Sequence, residues 1–149
     1  MTDGSANGVI YTKILVPTDG SDYSFTAGRH AVYLAKNLGA ELIVLNVVDI
    51  DMAFHAGIHY AESVKTLEQS GQEAIGRIEA LGRENGVTCR GMLVRGDPKD
   101  VIQKLACDEH IDCIVMGSIG MSAIERVLVG SVSEKVIRHA CCPVLLVRS

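Results

Sequence analysis

The stretch KILVPTDGS, residues 13–21, decides the fold because it joins a strand pattern directly to a helix start. Lys13–Pro17 is a short apolar run typical of a buried strand, and residues 18–21 form a turn cluster that stops pairing and can begin a helix. Apolar residues then recur at helical spacing from Ala27 to Leu38, and Gly39 supplies a stop. The stretch therefore predicts a strand, a tight turn and a helix.

The same alternation continues to the end of the chain. Further strands are predicted at residues 41–48, 87–94, 113–116 and 143–147. Helical patterns cover residues 64–81, the segment that starts at Asp97 and Pro98, and residues 132–140, whereas residues 49–62 predict a loop that can include a short helical piece. This order predicts an α/β fold, a doubly wound three-layer sandwich with a parallel sheet. We expect one domain over residues 11–149, after a flexible tail of residues 1–10.

Composition narrows the function classes. The 149-residue chain is 48% hydrophobic but only 4% aromatic, which predicts an aliphatic core. It carries 14 Lys and Arg against 18 Asp and Glu and has no basic block, which argues against nucleic-acid binding. No apolar run approaches a membrane span and no signal-peptide pattern opens the chain, so we expect a cytoplasmic protein with no membrane partner.

Cysteine usage favours reduced thiols. The number of cysteines is odd, no CxxC spacing is present, and several lie in apolar segments, where a thiol behaves as a small hydrophobe. The five are Cys89, Cys107, Cys113, Cys141 and Cys142.

Two segments follow strands at the edge where such sheets bind ligands: Pro17 to Ser21, and Met116 to Ser133. Glycines in the second segment can turn the chain without Cβ obstruction, and the S-x-x-E pattern from Ser131 to Glu134 predicts a capped helix start. Free amides and the helix dipole at such a start favour phosphate, with serine hydroxyls as further donors. An apolar slot near Val47 would take an adenine base, and Asp19 would accept from a ribose hydroxyl.

Simpler interpretations remain open at this point. Glycines are common in loops, a capped helix needs no ligand, Asp19 can be a turn cap, and Val47 can be core. His55 and His59, at i and i+4 on a helix, could hold a metal, although a solvated loop is the favoured interpretation. No Walker A loop is present, and a receiver domain fails for lack of its aspartate and lysine. No serine or cysteine comes with an identifiable base, which favours a binder or slow switch over an efficient ATPase.

Three motifs together resemble the universal stress protein family, over residues from Tyr11 to the C-terminus. They are the opening ILVPTDGS at residues 14–21, the pattern Gly117-x2-Gly120-x9-Gly130-Ser131, and the ending GSVSEKVIRHACCPVLLV at residues 130–147. Asn46 and Ile119 depart from the family, which often has histidine and a polar or basic residue at these positions.

The resemblance implies a five-stranded parallel sheet of order 3-2-1-4-5, of the adenine nucleotide alpha hydrolase-like class. It also implies bound ATP or AMP/ADP, with Mg2+ or Mn2+ on the phosphates as a further expectation, and a role in the stress response. Pro17, Thr18 and Asp19 would border the adenosine, and Val47 would meet the base through its backbone. The implied turn and phosphate residues are Met116, Gly117, Gly120, Gly130, Ser131, Val132 and Ser133.

The last strand, from Pro143 to Val147, is apolar on both faces and would lie at the sheet edge. An exposed apolar edge invites pairing, which predicts a homodimer through antiparallel last strands. The alternative function is therefore a non-enzymatic dimeric interaction module that uses the same fold without nucleotide.

Overall fold

The computed structural model describes residues 8–55, 57–119 and 129–148. The five strands are β1 (Lys13–Pro17), β2 (Glu41–Asp49), β3 (Cys89–Gly96), β4 (Cys113–Gly117) and β5 (Val144–Val147). The helices are α1 (Asp22–Leu38), α2 (Ile50–Phe54), α3 (Tyr60–Glu84), α4 (Pro98–Asp108) and α5 (Ser131–His139), with a 3-10 helix at Gly57–His59 before α3. Most of the predicted tail lies outside the described residues.

The strands form one parallel sheet of order β3-β2-β1-β4-β5, which confirms the predicted fold class. Strands β1 and β4 are neighbours, so the chain reverses its direction of winding between them. In open α/β sheets, ligands bind beyond the carboxyl ends of the strands at this position. The topology therefore places the two predicted site segments beside each other.

The core is aliphatic and has two layers because side chains alternate across each strand. Ile14, Val16 and Val44 pack against α1 and α3 on one face, while Leu15 and Ile43 pack against α4 and α5 on the other. Both faces are covered, as the apolar strands require. None of the helices within the described part of the chain combines the length and apolar character that crossing a membrane requires.

The cysteines differ in part from the sequence-based prediction. Cys107, in the last turn of α4, forms a disulfide with Cys141, which follows α5, and their Cα atoms lie 6.1 Å apart. Cys89, Cys113 and Cys142 are free thiols, and burial is the main cause that raises the pKa of each. The prediction of reduced cysteines was therefore wrong for Cys107 and Cys141. These two residues are separated by 34 positions and meet only in the folded chain, so the sequence pattern gave no sign of their pairing.

Asp112 fastens the beginning of β1 at the edge opposite the predicted site. Its Oδ2 accepts hydrogen bonds from the Thr12 amide at 2.8 Å, the Lys13 amide at 2.9 Å and the Thr12 hydroxyl at 3.0 Å. Partial burial acts to raise the pKa of Asp112, but these donors outweigh it and hold the pKa below its ordinary value. A carboxyl with a depressed pKa stabilises the fold above its unfolded pKa, and this contribution is lost as pH falls through the folded pKa.

We expect Asp112→Asn to lower the free energy of unfolding at pH 7 by about 1 kcal/mol, since the amide keeps an acceptor but loses the charge. The difference from the parent protein should shrink as pH falls from about 5 to 3. Urea unfolding across this pH range measures it. Asp108→Asn, a change at an exposed residue of α4, is the matched control and should alter stability little. An Asp112→Asn deficit that stays constant down to pH 3 would contradict the electrostatic origin.

Candidate functional site

Buried polar side chains mark the carboxyl edge of the sheet. In residues 8–55, 57–119 and 129–148, the buried polar side chains lie near the carboxyl end of a strand, directly after a strand, or in the first turn of α1 or α5: Thr18, Ser24, Asn46, Ser118 and Ser133. Burying polar groups in an aliphatic core is costly unless they find partners. Their restriction to this edge therefore distinguishes it from the rest of the molecule.

The turn after β1 is held by its own backbone and by two side chains. The Thr18 amide donates to Leu45 O at 2.8 Å, and Asn46 Nδ2 donates to Thr18 O at 2.9 Å. The Thr18 and Ser24 hydroxyls share a hydrogen bond of 2.9 Å. Thr18 therefore has little freedom, and Pro17, the last residue of β1, is buried directly before it.

Asp19 acts as a turn residue in this structure. Its Oδ1 accepts from the Ser21 amide at 2.9 Å, and Gly20 adopts a φ of 85°, a conformation that favours glycine. Ser21 in turn caps α1 by accepting from the Ser24 amide at 3.1 Å. Asp19 is thus observed as a turn cap, the simpler of its two interpretations. Contact of Asp19 with a ribose hydroxyl stays a prediction.

Asn46 and Ser24 were not among the predicted site residues. Asn46 was noticed only as a departure from the family, although one signal was present in the sequence. It is the only polar residue within the apolar run from Leu42 to Val48, and a buried amide needs a partner. The helical residue Ser24 gave no comparable signal.

The backbone of Val47 faces the site. In a strand, the N–H and C=O of one residue point to the same edge, and alternate residues share that edge. Leu45 O accepts from Thr18, so Val47 two residues later also directs its backbone groups toward the β1 side. Strand β1 has ended there, because its last registered pair is Pro17 with Leu45. Val47 therefore offers one donor and one acceptor beyond the strand end.

The end of β4 passes close to the start of α1. Met116 and Gly117 are both buried. A Cβ at Gly117 would lie 3.2 Å from Ile119 O and 3.3 Å from Tyr23 O. The absence of a side chain at Gly117 therefore lets the end of β4 lie close to the backbone of Tyr23 in α1. Gly120 lies outside the described residues.

Helix α5 begins one residue earlier than the capping-box pattern predicts. Gly130 is the N-cap, and no side chain caps the helix, so the predicted Ser131–Glu134 capping box was wrong. Glu134 instead pairs with Arg138 at 2.8 Å. The cause is tertiary: the Gly130 amide donates to Ser118 O at 2.6 Å and fixes where the helix starts.

The start of α5 is hydrogen-bonded to the end of β4. The Ser133 hydroxyl donates to Gly117 O at 2.8 Å, so in this structure its proton is engaged inside the protein, and its contact with phosphate stays a prediction. Among the described residues, none accepts a hydrogen bond from the amides of Ser131, Val132 or Ser133. Amides in the first turn of a helix, with its positive dipole end, form a ready anion site.

The structure gives no support to the metal hypothesis. His55 caps the end of α2 and His59 ends the 3-10 helix, so the two residues do not share one helix, as i, i+4 ligands would. Within the described ranges, no group of three or more His, Cys, Asp or Glu side chains could hold a metal ion.

Two open clefts, of about 570 and 360 Å³, lie along α3 and contain none of the predicted site residues.

Comparison with known proteins gives consistent matches. Residues 10–148 match the model of the universal stress protein family. A universal stress protein of Methanothermobacter thermautotrophicus is 42% identical over 144 residues, covering 94% of this chain and 97% of that protein. The solved structure of the hypothetical protein MJ0577 has a TM-score of 0.85 at 32% identity, with 95% of this chain and 98% of the other covered. A universal stress protein in complex with cAMP has a TM-score of 0.66 at 29% identity, with 93% and 98% covered.

Proposed function

This chain belongs to the universal stress protein family, and from that premise we propose that it binds an adenine nucleotide, ATP or AMP/ADP, at the carboxyl edge of its sheet. In this proposal it acts as a nucleotide-dependent stress-response or regulatory protein and not as an efficient enzyme. The phosphates lie at the start of α5, and the adenosine lies over the ends of β1 and β2.

The start of α5 carries the proposal. Its cap is a glycine that offers no side-chain acceptor, and the first-turn amides at residues 131–133 have no acceptor among the described residues. An orphan helix start normally finds a side-chain cap or water. Here the cap residue is a glycine, which leaves these amides available to an anion such as phosphate.

The backbone of Val47 supports adenine as the base. One N–H donor and one C=O acceptor on the same strand edge match adenine, which presents the N1 acceptor beside the N6 amino donor. Guanine presents the opposite arrangement, an O6 acceptor beside an N1–H donor, so in the same orientation its polar groups would meet like groups. The cAMP in one of the similar solved structures is also an adenine nucleotide.

Any Mg2+ or Mn2+ would be held chiefly by the nucleotide phosphates, since the described residues contain no cluster of metal-binding side chains. Hard divalent cations often bind in this way, with few protein ligands. In this proposal the metal ion therefore binds together with ATP and is not bound by the protein alone.

Calorimetric titration of the dialysed protein with ATP, AMP, cAMP, adenosine and GTP tests the proposal. We expect heat with the adenine nucleotides and an affinity for GTP at least about tenfold lower than for ATP, because mismatched buried polar groups are penalised. Acid precipitation of the freshly purified protein should also release AMP, ADP or ATP. No heat with any adenine nucleotide would reject nucleotide binding, and equal binding of GTP would reject base recognition by Val47.

The dimeric interaction module is the second candidate. Strand β5 is an edge strand of the sheet, and its residue Leu145 is 40% exposed, which favours pairing with a second copy through the last strand. A dimer suits both functions, so the homodimer from Pro143 to Val147 stays a prediction under either. Ligand content separates them, because only the first candidate requires a bound adenylate.

A further inference from the structure

The disulfide between Cys107 and Cys141 encloses one half of the candidate site. The two cysteines are separated by 34 positions, and the loop they close contains β4, α5 and all the predicted phosphate residues. The predicted adenosine residues Pro17, Thr18, Asp19 and Val47 lie outside the loop. A change in this bond would therefore act most directly on the phosphate half of the site.

Helix α5 is short and has few buried residues. It has nine residues, of which Ser133 and Val136 are buried. Helices this short are marginal without tertiary contacts. Apart from its packing, α5 is joined to α4 by the exposed ion pair of Lys135 with Asp100, at 2.8 Å, and by the disulfide two residues past its end. An exposed ion pair contributes little, which leaves the covalent link as the strong tether to α4, beside the hydrogen bonds of Ser133 and Gly130 that join the start of α5 to the end of β4.

The disulfide is open to attack from solvent but protected from exchange with its neighbours. Cys107 and Cys141 are both exposed. The free thiols of Cys113 and Cys142 are buried or half-buried, and burial raises the pKa of each, so they remain protonated and react slowly. Reduction must therefore come from an external thiol.

We propose that Cys107 and Cys141 form a redox-modification site that takes a dithiol reductant and controls phosphate binding at the start of α5. One thiolate of the dithiol attacks a sulfur of the pair, the S–S bond breaks, and the other cysteine leaves as a thiolate that takes up a proton. The second thiol of the reductant, as its thiolate, then attacks the reductant's own sulfur in the mixed disulfide, that S–S bond breaks, and the first cysteine leaves as a thiolate that takes up a proton. The protein gains two electrons and two protons, and the dithiol becomes a disulfide. This control rests on the proposed nucleotide binding.

The test compares the full-length protein, oxidised and after treatment with dithiothreitol. Differential alkylation with mass spectrometry first establishes whether Cys107 and Cys141 are linked and then released. Titration with ATP should show an affinity about tenfold lower in the reduced form, because α5 must then be ordered on binding. Affinity for adenosine should stay the same in both forms.

Matched variants separate the linked pair from the other thiols. Cys107→Ser should bind ATP like the reduced protein and should not respond to dithiothreitol. Cys142→Ser, next to the pair but outside it, should keep the full response. Equal ATP affinity in the linked and released forms would overturn the proposal, as would the absence of the disulfide from the oxidised protein.

Hydrogen exchange distinguishes failure of this proposal from failure of nucleotide binding. Without any nucleotide, the amides of α5 should exchange faster in the reduced protein than in the oxidised one, while those of α1 should not change. If ATP binds neither form, the proposed nucleotide binding fails. The hydrogen exchange of α5 then tests by itself whether the disulfide controls the order of this helix. Faster exchange then supports it, and unchanged exchange overturns it.

Discussion

Replacing Gly130 by aspartate is expected to lower the affinity for ATP by about 100-fold while leaving the fold at least as stable as in the parent protein. Gly130 has φ −71° and ψ 163°, the extended conformation that N-cap residues adopt. A Cβ at this position would lie 3.4 Å from Ser118 O and 3.5 Å from Ile119 Cα, which are ordinary contacts. The described neighbours therefore leave room for a Cβ at this position.

The loss of ATP binding follows from competition for the same donors. An N-cap carboxylate accepts from the amides of the second and third helical residues, here Val132 and Ser133, and these are the groups proposed to hold phosphate. Its negative charge also repels the phosphates. The same contacts satisfy the helix start, so the free energy of unfolding should rise by a few tenths of a kcal/mol relative to glycine.

Titrations with ATP and adenosine, combined with urea unfolding, measure both effects. Adenosine should bind Gly130→Asp as it binds the parent, because the adenosine half of the site is not altered. Gly130→Asn, which caps without charge, should lose less ATP affinity than the aspartate variant, and Gly130→Ala should lose least. If Gly130→Asp binds ATP like the parent, the phosphates do not lie at α5. A variant that loses both ligands and stability would point to a damaged fold instead.

The strand boundaries show what sequence patterns can predict. Strand β1 was predicted at Lys13–Pro17 and is observed there, since an apolar run bounded by a turn cluster has clear ends. Strand β3 was predicted at residues 87–94 but occupies Cys89–Gly96. Val87 is buried in the core just before the strand, so its apolar character reflects packing and not pairing. The pairing with β2, which sets Leu42 opposite Cys89, decides where β3 begins.

The candidate site was likewise predicted from the sequence only in part. The two segments that form it were predicted because turn residues and glycines follow strand patterns, and the fold places those strands side by side. The start of α5 was misplaced by one residue because Ser118, distant in sequence, selects Gly130 as the cap. The anchoring of Thr18 by Asn46 was missed for a similar reason, since both partners of a long-range contact must be known before either can be interpreted.

Replacing Gly71 by alanine should destabilise the protein, although glycine-to-alanine changes within helices usually stabilise. Gly71 lies in α3, buried against the end of β2. A Cβ there would overlap Asn46 Oδ1 and lie 2.8 Å from Leu93 Cδ1. Asn46 cannot easily move aside, because its amide is buried and holds Thr18 O. We expect the free energy of unfolding to fall by about 2 kcal/mol, a cost typical of overpacking.

Gly76→Ala is the matched control for this change. Gly76 lies in the same helix, and nothing comes within 4 Å of a Cβ built there, so alanine should raise stability by about 1 kcal/mol. Urea unfolding of both variants measures the contrast, and a Gly71→Ala protein as stable as Gly76→Ala would show that Asn46 is not fixed.

The clash with Asn46 is tested directly in the background of Asn46→Ala, where Oδ1 is absent. There the cost of Gly71→Ala should fall by about 1 kcal/mol, since contacting residues couple. An undiminished cost would assign the strain to Leu93 instead.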